Sequence, residues 1–166
     1  STVHEDVNNM IWVGTEIGVS QFDPSKREFS RPIKLDGVEL INAETIIDDK
    51  QGNIWIKLRD NGLVYKYNHV DSVLTCFNCL DQSVIKDQMV TVLSKDSDGT
   101  IFIGTNSGLY YHNINSNKIM IVGSQGEFDG LAVNAIEDGA DDDIWVGTSN
   151  GLFRLNGGLG GSIDVF

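Results

Sequence analysis

One short template recurs four times along the chain and limits its fold more than any other feature. The segments IWVGTEIGV, IWIKLRDNGLV, IFIGTNSGL and IWVGTSNGL place an aromatic residue at Trp12, Trp55, Phe102 and Trp145, at intervals of 43, 47 and 43 residues. Self-similarity at that period means a repeat unit that cannot bury its apolar surface alone and must stack on its neighbours. The pattern extends upstream, where Val3, Ile46, Leu93 and Ile136 lie eight positions before Ile11, Ile54, Ile101 and Ile144 and mark a preceding strand. Two positions before the same isoleucines stand Asn9, Gly52, Gly99 and Asp142, residue types that tolerate a left-handed backbone in a tight turn. A hairpin joins the two strands.

Downstream of each aromatic, Gly18, Gly62, Gly108 or Gly151 opens GVSQF, GLVYKY, GLYYH or GLFRL, which read as a third strand. Leu63, Tyr65 and Tyr67 alternate there with Val64 and Lys66, the period of two of a strand with one face more buried than the other. A less regular fourth strand fits REFSRP, VLTCF, KIMIV and SIDVF. The second strand differs in kind, because Ile11, Trp12 and Val13 are apolar in succession, which calls for cover on both faces. Eighteen glycines at regular intervals and β-branched enrichment speak against helices. Pro24 and Pro32 fall in the outer part of the first unit, where a missing backbone donor is tolerated. The fold class is therefore all-β: four four-stranded antiparallel meanders, each a β-propeller blade, with approximate boundaries 1–37, 38–82, 83–129 and 130–166 in one segment spanning 1–166.

Composition narrows the function. A chain of 166 residues can own a real core. Its 12 Lys plus Arg against 24 Asp plus Glu give a formal charge of −12, a field that repels nucleic acid and anionic lipid surfaces. No apolar run approaches the roughly 18–20 residues that span a bilayer, so no direct membrane insertion is expected of this segment, and any export or anchoring signal is expected elsewhere. Cys76 and Cys79 form the only C-x-x-C. A thioredoxin-like site opens a helix and a structural zinc site wants four ligands, so this strand-borne pair reads as packing residues or an incidental disulfide.

The remaining motifs yield to ordinary turn and core chemistry. The run Asp96–Gly99 and the cluster Asp141, Asp142 and Asp143 resemble the start of a calcium loop, but neither is followed by a bidentate glutamate at the right distance, and both coincide with the repeat's hairpin turn. The Asp-box spacing of sialidase-like propellers is not met. His4, His69 and His112 occupy three different phases of the repeat, which argues against a metal centre or a histidine-based catalyst. No phosphate-cradling glycine-rich loop precedes a helix, and no cofactor is expected. Trp12, Trp55 and Trp145 read as blade-to-blade core rather than sugar-stacking platforms, and Tyr65, Tyr67, Tyr110 and Tyr111 as residues reaching a surface at one end.

An acidic-glycine turn followed by I-W-V-G-T-x-x-G-L resembles the two-component regulator propeller repeat of periplasmic sensors in hybrid two-component systems of gut Bacteroidetes. Ile11 to Val19, Ile101 to Leu109 and Ile144 to Leu152 follow it at matching phase. The resemblance implies a periplasmic, non-catalytic propeller that receives a ligand, often an oligosaccharide from plant or host polysaccharide, and is joined elsewhere to a membrane segment and a histidine kinase. It also implies a ring larger than four blades, so further blades or self-association are expected to complete this one. The second repeat departs from the pattern: Lys57 and Leu58 replace the Gly-Thr of the others, and the next loop carries one extra residue. Lys57, Arg59 and Asp60 are the candidate ligand-binding residues, since the loop between second and third strands opens on the ligand-bearing face of propellers in general; the alternative is simple drift of this blade. Other classes kept in view are a polysaccharide lyase or glycosidase propeller and a protein-interaction scaffold.

Overall fold

The computed structural model describes residues 1–30, 33–35, 38–79 and 81–166. Sixteen of its strands form four four-stranded antiparallel meanders, as the repeats require. The first sheet holds β1 (Thr2–Glu5), β2 (Ile11–Thr15), β3 (Gly18–Asp23) and β4 (Glu28–Phe29). A two-stranded hairpin that the repeat did not foretell follows, β5 (Lys34–Leu35) and β6 (Val38–Glu39). The second sheet holds β7 (Ala43–Asp48), β8 (Ile54–Leu58), β9 (Val64–Asn68) and β10 (Val73–Cys76). The third holds β11 (Val90–Lys95), β12 (Ile101–Thr105), β13 (Leu109–Asn113) and β14 (Lys118–Ile121), and the fourth β15 (Val133–Asp138), β16 (Ile144–Thr148), β17 (Gly151–Leu155) and β18 (Ile163–Val165). Pro32, expected in the first outer strand, lies outside the described residues.

The hairpin between first and second strands has the backbone that its residues imply. Asn9, Gly52, Gly99 and Asp142 sit at φ of 60°, 77°, 78° and 61°. An aspartate six positions before the aromatic organises the turn. Asp6 Oδ1 accepts from the amides of Asn8 and Met10 at 2.8 and 3.0 Å, while its Oδ2 accepts from the Trp12 indole at 2.8 Å. Asp49 repeats the arrangement, with Gln51 and Asn53 amides on Oδ1 at 3.0 Å and the Trp55 indole on Oδ2 at 2.9 Å. Each carboxylate thus ties a turn to a buried ring and satisfies an indole N–H that would otherwise be orphaned in the core. In the third sheet Asp96 holds the turn through the Thr100 amide at 2.8 Å, and the aromatic is Phe102, which needs no acceptor.

The chain forms two compact units, residues 1–77 and 78–166. In the first, β1 and β2 pack on β7. Trp12 is fully buried in one cluster with Ile46, Ile54, Ile56 and Leu58 of the second sheet, and its ring meets Tyr67 at 5.5 Å. At Gly14 the sheets approach closely: a Cβ there would stand 2.7 Å from the Ala43 Cβ. Trp55, also fully buried, stacks on Phe77 at 4.9 Å. The second unit repeats the scheme. β11 and β12 pack on β15, Phe102 is buried with Val133, Ile136, Ile144 and Val146, and Gly104 meets Val133.

Trp145 departs from the expected double cover, being only half-buried. Gly139 replaces the aspartate, since a Cβ there would lie 2.9 Å from the indole, and the ring is flanked instead by Arg154 and Phe166 at 5.5 and 5.8 Å. Consecutive burial holds throughout β8 and β12 but gives way to alternation in β2 and β16. Two tyrosines also differ from expectation: Tyr65 and Tyr110 are buried in the sheets, while Tyr67 and Tyr111 reach half-exposed positions.

The glycines of the second strand generate a contrast between two equivalent positions. A Cβ on Gly104 would lie 2.5 Å from Val92 and 2.6 Å from Val133, whereas one on Gly147 meets the Ala135 Cβ at an ordinary 3.5 Å. Gly104→Ala is expected to lower stability by about 1–3 kcal/mol through overpacking. Gly147→Ala should be neutral to slightly stabilising, within about 0.5 kcal/mol, because it relieves glycine's entropy cost. Urea unfolding of both variants checks the pair; equal effects would contradict close blade approach at Gly104.

Candidate functional site

The irregular repeat builds a polar cluster at one end of the second sheet. The pairing of β7 with β8 shifts register between Ala43 and Thr45, so Glu44 is an extra residue outside the ladder. Such a bulge re-aims a side chain. Glu44 is carried to Lys57, the fourth residue of β8, and the Lys57 ammonium pairs with Glu44 Oε2. Arg59 Nε lies 3.6 Å from the other oxygen, Oε1. In the turn after β8, Asp60 Oδ2 accepts from the Asn42 side-chain amide at 2.6 Å, and the Arg59 amide donates to the Asn42 carbonyl at 3.0 Å. Asn42, at φ 56°, also donates its amide to the Thr15 carbonyl of the first sheet at 3.0 Å.

The loss of Gly-Thr in this repeat has a local remedy. Thr15, Thr105 and Thr148 each donate a hydroxyl to the carbonyl of the glycine three residues on, and each accepts an amide two residues on. Leu58 can do neither. Asn61 takes over, its Oδ1 accepting from the Leu63 amide at 3.0 Å, which accommodates the extra loop residue.

The three sequence candidates therefore lie together but differ in role. Lys57 is buried, with a side chain 5% exposed, and is engaged by Glu44. Arg59 and Asp60 are exposed, and beyond the contacts above the guanidinium retains outward donors and the carboxylate an acceptor oxygen. This adjacent donor and acceptor can hydrogen-bond a polar ligand. Sequence reading missed Glu44 and Asn42. A signal existed for Glu44, since buried Ala43 and Ile46 stand three apart where a regular strand would separate same-face residues by two. The Lys57 ammonium, with Arg59 adding to it, holds the Glu44 carboxyl below the usual glutamate range despite partial desolvation. An ionised, doubly paired carboxylate is a structural acceptor, not a proton donor, at neutral pH.

Other sequence candidates are dispersed. His4 bonds Asp48 at 3.0 Å, His112 is buried against Asn117, and His69 is exposed. Among the described residues no group of three or more metal-ligating side chains could hold an ion. Cys76 and Cys79 are disulfide-bonded. No helix among the described residues is long and apolar enough to cross a membrane.

No family model matches the chain, and no curated protein matches it. Solved structures do. The extracellular domain of BT4673 from B. thetaiotaomicron, described as a hybrid two component system, superposes with a TM-score of 0.73 at 21% identity, covering 99% of this chain and 23% of that one. The corresponding domain of BT3049 from the same organism gives a TM-score of 0.65 at 20% identity, over 93% of this chain and 20% of that one. Virginiamycin B lyase from Staphylococcus aureus gives 0.67 at 13% identity, over 99% of this chain and 54% of the lyase. The propeller-blade fold read from the repeats is thus shared with extracellular domains of two-component systems, and the chain spans under a quarter of those domains.

The cluster makes an acid-side prediction. Glu44 has a lower pKa folded than unfolded, so its pairing stabilises the fold above the ordinary carboxylate range and is lost as pH falls through the depressed value. With Glu44 39% exposed, solvent screens the pair, and Lys57→Met should change stability at neutral pH by no more than about 1 kcal/mol. In that variant the Glu44 titration, followed by carboxyl NMR, should return toward the usual range and the acid limb of stability should flatten. An unchanged titration would mean that Lys57 does not control the carboxylate.

Proposed function

We propose that the chain is a non-catalytic, ligand-sensing propeller segment of a two-component sensor, facing the periplasm and responding to a carbohydrate fragment. The observation that carries the reading is the one broken repeat: a regular blade scaffold presents exposed Arg59 and Asp60, buttressed by the bulged Glu44 and the buried Lys57. Sugar hydroxyls both donate and accept, and an adjacent guanidinium and carboxylate answer both needs. A disulfide suits an oxidising compartment outside the cytoplasm. Ligand binding would bias the sensor through differential affinity for two arrangements of blades or partner domains.

The same reading treats residues 1–166 as one propeller segment whose outer faces meet further blades. Val13 and Phe29 of the first sheet and Ile17 in the turn between β2 and β3 line an open apolar pocket of about 300 Å³, with Ile17 80% exposed, and half-buried Trp145 offers the aromatic that such a face receives elsewhere in the fold. A propeller lyase is the second reading, favoured by the likeness to virginiamycin B lyase. It needs an acid and a base converging on one cleft, whereas Glu44 of this cluster, held ionised by Lys57, is no proton donor. An interaction scaffold is the third.

Calorimetric titration with neutral xylo-oligosaccharides and acidic galacturonate oligomers separates them. Saturable binding without product formation is expected, weakened about tenfold or more in Arg59→Ala and Asp60→Ala. Turnover of the oligosaccharide would support the lyase or glycosidase reading, and protein partners without sugar binding would support the scaffold.

A further inference from the structure

The sequence holds three Asn-Gly pairs, Asn61-Gly62, Asn150-Gly151 and Asn156-Gly157. In such a pair the glycine nitrogen can close a succinimide ring on the asparagine Cγ, and without a Cβ the glycine neither blocks the approach nor restricts the backbone angles it needs. Asn61 and Asn150 stand at the same phase of the repeat, directly before the glycine that ends the loop between second and third strands, and Asn156 directly follows β17. Local sequence makes the three pairs nearly equivalent, and the fold separates them.

Asn156 is held at both reacting ends. Its side-chain amide donates to the Ser162 carbonyl, the Ser162 hydroxyl and Asp164, each at 3.0 Å. The Gly157 amide, whose nitrogen would have to attack, donates to Asp143 Oδ1 at 3.0 Å. That bond, with the Arg154 guanidinium on Oδ2, holds the Asp143 carboxyl below the usual carboxylate range, so it is too weak a base to take the amide proton and its charge opposes an amide anion. At Asn61 the side chain is restrained as well, because its Oδ1 accepts from the Leu63 amide at 3.0 Å. Asn150 is different. In its repeat Thr148 fills the role that Asn61 takes in the second: the Thr148 hydroxyl donates to the Gly151 carbonyl at 3.0 Å and accepts from the Asn150 amide at 3.1 Å. The Asn150 side chain is exposed and, among the described residues, makes no hydrogen bond.

We infer that Asn150 is a site of selective self-deamidation, which converts it to aspartate or isoaspartate in the turn between β16 and β17. The Gly151 nitrogen gives up its proton and bonds to Asn150 Cγ, the Cγ–Nδ2 bond breaks, and the side-chain nitrogen leaves as ammonia. Water then opens the succinimide: attack at Cγ leaves aspartate, and attack at the backbone carbonyl carbon leaves isoaspartate. Water is consumed and ammonia released, with no change of oxidation state. Either product adds a negative charge to a chain of formal charge −12. Isoaspartate also threads an extra backbone carbon through the tight turn of Ser149 and Asn150, across which Thr148 pairs with Gly151. The modification uses neither Arg59 nor Asp60, so it stands or falls separately from the proposed function.

Incubating the full chain in isotopically labelled water at mildly alkaline pH, folded and in concentrated urea, tests it, with peptides read by mass spectrometry that separates aspartate from isoaspartate. In the folded chain Asn150 is expected to convert at least about tenfold faster than Asn156, the rate factor that breaking one good hydrogen bond imposes, and measurably faster than Asn61. In urea the three rates should converge, because the restraints on Asn61 and Asn156 belong to the fold. An unreactive Asn150, an Asn61 or Asn156 that converts as fast as Asn150 in the folded chain, or an order that persists in urea overturns the inference.

Discussion

The structure depends on one recurring act: an aromatic from the second strand of a sheet is buried against the sheet beside it. Trp12 does this in the first unit and Phe102 in the second, and the strand-borne glycines Gly14 and Gly104 let the adjoining β7 and β15 come within contact of the backbone. Burying an indole is favourable only when its N–H is satisfied, because an orphaned donor in the core offsets much of the gain. Asp6 and Asp49 meet that demand while also closing the hairpin turns. Turn geometry and core packing are therefore one interaction, and a turn residue six positions away stabilises the stacking of sheets.

The polar cluster sits where that regularity lapses. Lys57 occupies the position that glycine holds in the other repeats, and a buried ammonium there requires a partner. Glu44 provides it from a bulge, and the pair leaves Arg59 and Asp60 to face outward. The result is a neutral, hydrogen-bonding patch on a framework whose remaining surface is predominantly acidic.

Strand order and turn backbone were legible in the sequence because both are local: the positive φ at Asn9, Gly52, Gly99 and Asp142 follows from residue type and phase. Nearest-neighbour identity was not. The burial of Tyr65 and Tyr110, the half-exposure of Trp145 and the pairing of Lys57 with Glu44 depend on which residues of another strand arrive opposite. Lys57, Arg59 and Asp60 stood out as a break in a repeat, yet the break alone did not say that Lys57 faces inward while the other two face out. Equally, the aspartates before the aromatics were visible as letters, but their bond to the indole needed the fold of the hairpin to bring them together.

The register shift recurs at matching phase in three sheets, where Glu44, Thr91 and Asn134 are the residues left out of the ladder. Each is freed from cross-strand pairing, and each carries different chemistry: a carboxylate on Lys57, a hydroxyl donating to the Val133 carbonyl, and an exposed amide. Such a position behaves as an interchangeable slot on a fixed chassis. New specificity can be written there one side chain at a time while the ladder beneath it keeps its hydrogen bonds.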